Sequence, residues 1–252
     1  MTYVPTPSVF DKVARKLRRF QNVRRLNFKI TTPIISITFD DFPKSAVTVG
    51  AREMDARGMR GTFYTCAGLA GQTNHHGPLF DAADLPDLEA AGHEIAGHTF
   101  NHVDMLTLSE AELADELLKN SAALKEMGVR QAIENFAFPF GQSNAGLKAR
   151  LGSEFKSLRG ITDGIHAGSA DLNELKSCGY YSGTAERVLA RVKALETAPA
   201  WITVFTHDIQ PEPTQWGCTP QDFTALLDAI EASGARVMTV RDALKTLENE
   251  HD

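Results

Sequence analysis

Two adjacent carboxylates, Asp40 and Asp41, close the run Ile34-Ile35-Ser36-Ile37-Thr38-Phe39. Its β-branched and aromatic content predicts a strand buried on both faces, with the acid pair at its tip. One carboxylate raises the pKa of its neighbour, so a strand tip holds two of them only where a cation or a proton relieves the repulsion. A partner stands in Gly92-His93-Glu94-Ile95-Ala96-Gly97-His98-Thr99-Phe100-Asn101-His102, a short strand running into a turn. His98 and His102 are four residues apart, the spacing at which side chains share one face of a helical turn. Two neutral imidazoles and one carboxylate form a facial three-ligand set for a metal, with positions open to water and substrate. The acid not used as a ligand is then free to act as a base.

Two further strand ends carry polar chemistry. Asn135-Phe136-Ala137-Phe138-Pro139-Phe140-Gly141 ends in a proline-bearing turn that can present backbone N–H groups, and Trp201-Ile202-Thr203-Val204-Phe205-Thr206-His207-Asp208 ends in a histidine. Between them, Arg159-Gly160-Ile161-Thr162-Asp163-Gly164-Ile165-His166 reads as a polar loop.

The elements that position these residues follow from periodicity. Strands are expected over 34–39, 61–66, 94–97, 134–138, 157–161, 175–180, 201–206 and 236–240. Ser109 and Glu112 form a capping box before Leu113, Leu117, Leu124 and Met127, and Gly128 stops that helix. Thr219-Pro220 opens another, and a third runs from about Ser45 to Arg57. Alternating strands and helices predict a parallel sheet covered by helices. Polar residues at the C-terminal tips of several strands favour an irregular (β/α) barrel over an open doubly wound sheet.

Thr38-Phe39-Asp40-Asp41, His98-Thr99-Phe100-Asn101-His102, Phe138-Pro139-Phe140-Gly141 and Thr206-His207 resemble, in order and approximate spacing, the motifs of the polysaccharide deacetylases, carbohydrate esterase family 4. The resemblance covers residues 34 to about 240, with support from Gly61-Thr62-Phe63-Tyr64 and Ala91-Gly92-His93-Glu94-Ile95. It implies a seven-stranded deacetylase barrel and a hydrolase that removes N-acetyl groups from an amino-sugar glycan. Carried over by position, it makes Asp40 the general base, Asp41, His98 and His102 the metal ligands, the Phe140 amide an oxyanion donor and His207 the general acid. The implied cofactor is a divalent metal, zinc first, with cobalt or nickel as alternatives. Such an ion lowers the pKa of bound water from about 15.7 toward about 7 to 9, within reach of a neighbouring carboxylate.

The chain departs from the family pattern at three places. Ala137 stands where an arginine usually braces the base, and Arg159 is the expected partial replacement. The aspartate–tryptophan pair that tunes the histidine has no clear counterpart, Asp163 and Asp171 being the stand-ins. Phe42 replaces a glycine after the acid pair and is expected to narrow the cleft.

Blander readings stand beside these. An isolated Asp-Asp is more often a turn or cap signal than a metal site. His93 reads as a structural histidine within a strand, and His75 and His76 as part of a solvated loop, with a second metal site there as the rarer alternative. Arg159 and Trp216 are the candidate substrate contacts, although Trp216 serves equally well as a cap on the barrel edge. Rival functions are hydrolysis of small cyclic amides by the same machinery, a non-haem iron oxygenase with the same ligand types, and a silent metal- or sugar-binding module.

Composition sets outer bounds. With 252 residues, 42% apolar and 23% charged, the chain has the make-up of a globular protein, and its net charge of −6 argues against a nucleic-acid partner. Residues 1–30 differ: eight cations face Asp11 alone, a local charge of +7. Phe10, Val13, Leu17 and Phe20 fall there at helical spacing, so 1–30 is expected as a basic arm before a catalytic domain over 31–252. The arm either docks as a helix across the domain or makes a peripheral contact with an anionic membrane. Cys66, Cys178 and Cys218 lack metal or redox spacing and read as free thiols, and no apolar run of signal-peptide length opens the chain. A cytoplasmic protein is the expectation, while the oligomeric state and the glycan's identity stay open.

Overall fold

In a computed structural model, which describes residues 20–249, the run that opened the sequence reading lies in the middle of a parallel sheet. Numbering strands along the chain, these are β1 (Arg25–Asn27), β2 (Ile34–Phe39), β3 (Thr62–Thr65), β4 (Thr73–Asn74), β5 (Gly77–Pro78), β6 (Glu94–Gly97), β7 (Asn135–Ala137), β8 (Ser157–Arg159), β9 (Ser169–Asp171), β10 (Cys178–Gly179), β11 (Trp201–Thr206) and β12 (Arg236–Val237). The order β10-β11-β2-β3-β6-β7-β8 is parallel throughout, with β12 added against the first half of β2. Helices flank this half-barrel of seven strands, and its two edges approach each other where Leu175 bridges Arg159 of β8 shortly before β10 begins. The barrel expected from the sequence is therefore present, and most strands are shorter than expected.

Alternation along the strands sorts the side chains, because residues two apart share a face. Ile35, Ile37 and Phe39 join Phe63, Ile95, Ile202, Val204 and the helix side chains Leu226 and Ile230 in the main apolar core. The opposite set lines the interior: Trp201 donates its indole N–H to Ser36 Oγ at 3.0 Å, and Thr38 Oγ1 donates to the Val204 carbonyl at 3.0 Å. Lower in the interior, Glu94 accepts from Thr62 and Asn135, and Ser157 donates to Asn135. Asp40 continues the inward series 36, 38, 40, and Arg159 does the same for Ser157.

The capping box expected of Ser109 and Glu112 is formed before the helix Glu110–Glu126, and Thr219 forms a second one with Asp222 before Pro220–Ala232. The helix expected over about 45–57 starts as a π-helical stretch, Ala46–Ala51, and continues as Arg52–Ala56.

The expected arm divides at the edge of the described residues. Its first 19 residues, with most of the helical spacing, lie outside them. Residues 24–28 belong to the body: β1 pairs antiparallel with β9, Leu26 and Phe28 are buried, and Arg24 donates to the carbonyls of Phe155 and Lys156. Burying two such side chains contributes roughly 1.5–3 kcal/mol each. Deleting residues 1–29 is thus expected to lower Tm by on the order of 10 °C in a chain of this size, as read by thermal denaturation. An unchanged Tm would show that β1 adds nothing to the fold.

Candidate active site

Strand register brings the functional residues to one level. β2 and β11 pair from Trp201 with Ile34 to Thr206 with Phe39, so Asp40 and His207 leave the sheet side by side, and the Asp40 amide donates to the Thr206 carbonyl at 3.1 Å. Thr65 pairs with Gly97 and Gly97 with Phe136, which sets His98 beside the end of β7. Ala137 pairs with Arg159.

The Asp40 carboxylate points inward, and its Oδ2 is paired with the guanidinium of Arg159. Arg159 is fully buried, lying over the rings of Tyr64 and Phe205 at 5.0 and 4.7 Å. The brace missing at Ala137 thus comes from the neighbouring strand. This burial corrects the expectation of Arg159 as a substrate contact, since no part of the side chain reaches the surface.

Asp41 breaks from the strand with φ 57° and carries its carboxylate over the barrel mouth. His102 Nε2 lies 3.0 Å and His98 Nε2 3.4 Å from its Oδ1. Burial alone would raise the Asp41 carboxyl, but His102, His98 and His207 outweigh it and hold the group well below the usual carboxylate range. Burial pushes the His102 imidazole down to about 4, so the ring is neutral at pH 7 and its lone pair is available to an ion.

His98 and His102 converge, with ring centroids 5.0 Å apart, but not on a helical turn as their spacing suggests. They bracket an irregular loop in which Thr99 and His102 have positive φ. Glu116, projecting from the helix Glu110–Glu126, accepts from the amides of Phe100 and Asn101 at 2.9 Å and holds that loop. Of the six non-glycine residues with positive φ among those described, Asp41, Phe42, Thr99, His102 and Phe140 cluster here. Such conformations cost on the order of 1 kcal/mol or more each and persist where packing enforces them. Phe42 shows how: it is fully buried, 4.5 Å from the Phe80 ring and 4.9 Å from Phe63. It anchors the turn from within the core and does not narrow the cleft, as had been expected of it.

These residues fit a divalent ion. His98 Nδ1 lies 2.8 Å from the Ala137 carbonyl, a bond that needs its proton on Nδ1 and leaves Nε2 with a lone pair. That nitrogen lies 3.4 Å from the Asp41 carboxylate, so the two are spaced as ligand atoms of one ion are. Oδ1 of Asp41 and Oδ1 of Asp40 are both buried and have no hydrogen-bond partner among the described residues.

His207, half-buried, lies on the far side of the acid pair with Nδ1 3.2 Å from the Trp216 carbonyl. Burial pushes its pKa down, against the pull of Asp41 and Asp40. Neither expected aspartate tunes it: Asp163 pairs with Arg187 and Arg191, and Asp171 with Lys148. What faces it is His76, stacked at 4.8 Å between centroids and 9° between planes. His76 is buried, with Nδ1 2.7 Å from Asp208 Oδ1 and Nε2 3.8 Å from Asp41 Oδ2. The solvated-loop reading of this residue is thus overturned. Asn74 and Gly77 flank a two-residue connection between β4 and β5, a hairpin signal that could have lifted His76 out of the loop class. Trp216 is half-buried at the rim, edge-on to His75 at 5.5 Å, and Phe140 sets its ring edge against His102 at 4.4 Å.

This fold is the carbohydrate esterase family 4 barrel. Residues 29–153 match the family model described as polysaccharide deacetylase, and the chain carries a domain of that family. A chitin deacetylase from Pestalotiopsis sp is 29% identical over 90 residues, which span 35% of this chain and 28% of that protein. The chitin deacetylase of Colletotrichum lindemuthianum superposes with a TM-score of 0.61 at 17% identity, covering 85% of this chain and 89% of its own. The Xyl-CE4 domain of a multidomain xylanase from the Trinervitermes trinervoides hindgut metagenome gives 0.58 at 18%, covering 86% and 91%. A mutant of a CE4 family pseudoenzyme gives 0.57 at 16%, covering 88% and 69%. Because an inactive relative shares the fold, activity has to be argued from the site.

Proposed function

We propose that this chain is a divalent-metal-dependent hydrolase that removes N-acetyl groups from an amino-sugar glycan. The observation that carries this reading is the pair of buried, unpartnered carboxylate oxygens, one on Asp40 and one on Asp41, beside two imidazoles. Asp41, His98 and His102 would hold the ion, with zinc suited to such nitrogen and oxygen donors and cobalt or nickel as alternatives. When bound, it polarises the amide carbonyl and makes water more acidic.

The protein's own groups do the rest. Asp40 has one oxygen committed to Arg159 and the other free, so it takes the proton of the attacking water through Oδ1. Arg159 holds that carboxylate and aims it. As the carbon–nitrogen bond breaks, His207 gives a proton to the departing amine, and its burial makes it a readier donor than a solvated imidazole. The Phe140 amide is the oxyanion donor, a contribution typically worth about 10² to 10³ in rate. Trp216 at the rim offers an aromatic face to the apolar surface of a sugar ring. A cytoplasmic location rests on three cysteines that are all free and buried; no helix among the described residues is long and apolar enough to cross a membrane.

The deciding experiment incubates zinc-loaded protein with N-acetylated oligosaccharides and with cyclic amides. Released acetate supports the reading. Ring opening alone would replace the substrate class, and ion binding without turnover of either would make the domain a silent module.

A further inference from the structure

His76 has no part in the mechanism above, yet it is buried beside Asp41 with its geometry fixed. The residue sits at the tip of the β4–β5 hairpin, and Asp208 holds its Nδ1 at 2.7 Å. Asp208 is itself fixed: Thr214 Oγ1 donates to its Oδ1, while the Thr214 amide and Gln210 Nε2 donate to its Oδ2. A carboxylate on one imidazole nitrogen is the arrangement that orients metal-ligating histidines, because it keeps the proton on Nδ1 and turns the Nε2 lone pair outward. His207 has the same polarity, with Nδ1 on the Trp216 carbonyl. The two rings lie parallel, and ligand atoms of Asp41, His76 and His207 all fall within 4.8 Å of one another.

The geometry points to a second divalent-ion site, formed by His76, His207 and Oδ2 of Asp41, so that the Asp41 carboxylate bridges two ions. The first ion would be held on the Oδ1 side by His98 and His102, and this inference rests on that reading of the first site. Nitrogen ligands on a tetrahedral zinc, with bonds of about 2.0–2.1 Å, stand about 3.4 Å apart. With ring centroids 4.8 Å apart and planes nearly parallel, the two lone pairs would meet at a shared ion after a small tilt of the rings out of the stack. The ion would be a borderline one such as zinc, cobalt or nickel, because two of the three donors are imidazoles.

Occupation of this site has a chemical consequence. It takes up the nitrogen through which His207 would pass its proton to the leaving amine, so the second ion inhibits while the first activates.

Zinc per chain, measured by equilibrium dialysis with elemental analysis, tests the site directly. Wild type is expected to bind two ions and His76→Phe one, and the phenylalanine preserves the stack against His207. His207→Ala, also expected at one, reports the same site from its other ligand if His76→Phe fails to fold. The second equivalent should slow wild-type turnover by about tenfold or more, as loss of a general acid does, and should leave His76→Phe within about twofold of its one-equivalent rate. Two ions in wild type and both variants would place the extra ion elsewhere and overturn the site. One ion in wild type, kept in His76→Phe and lost in Asp41→Ala, would overturn the second site and leave the functional reading standing. One ion kept in His98→Ala but lost in His76→Phe would support the His76–His207 site and overturn the ligand set on which the functional reading depends.

Discussion

Asp40→Asn is expected to retain its activating ion and lose about 10² to 10⁴ in kcat, whereas Asp41→Ala should purify without it. The two acids are adjacent in sequence but face different partners. Asp40 continues the inward face of β2 and meets Arg159, while Asp41, turned outward by its positive φ, meets three imidazoles. Asparagine at position 40 can still accept from the guanidinium, so the fold around it is kept, but an amide cannot take a proton from water. Alanine at position 41 removes the only anionic member of the ligand set and leaves a two-histidine remnant of much weaker affinity. Elemental analysis of the purified variants decides the first half, and a metal-free Asp40→Asn protein would overturn the division of labour. His207→Ala should keep the activating ion too, with a smaller loss on activated acetyl esters, whose leaving group needs no proton, than on amides. Equal losses on both would remove His207 as the acid.

Arg159→Ala should be as damaging, and in two ways at once. The side chain is fully buried between Tyr64 and Phe205, and its removal leaves the Asp40 carboxylate buried with no counter-charge. Breaking one side of a buried pair costs about 3–5 kcal/mol, on the order of 10 °C in Tm for a chain of this length. Turnover should fall with it, because the base loses the group that aims it, while the activating ion is retained. Arg159→Lys keeps the charge but not the planar fork or the ring stacking, and should recover stability better than rate. Should Arg159→Ala match wild type in kcat and Tm, the pairing would have no role in either.

Much of this site could be read from the chain because strand tips have a strong local signature. The run Ile34–Phe39 predicts a buried strand, the period-two rule fixes which of the two acids turns inward, and Ser109 with Glu112 announces a helix start. What could not be read depends on contacts remote in sequence. His76 and Asp208 are 132 residues apart, and Asp40 and Arg159 are 119 apart, with nothing local to mark either pairing. The loop between His98 and His102 has helical spacing but is shaped by Glu116, a side chain from a helix that the sequence shows only as amphipathic. Phe42 misled in the opposite direction: a large residue beside a catalytic pair suggests a wall of the cleft, and only the positions of Phe63 and Phe80 show that it faces the core.

The pairing of Ala137 with Arg159 across β7 and β8 bears on how such domains are sorted into active and inactive members. A search that scores each motif along the chain counts the alanine as a lost catalytic arginine and files the domain among the degenerate ones. In this barrel, however, the guanidinium against Asp40 is delivered by Arg159 of β8, the cross-strand partner of that alanine. Positions 137 and 159 are partners in one cross-strand pair and should be judged together when a chain of this kind is classified or its barrel redesigned.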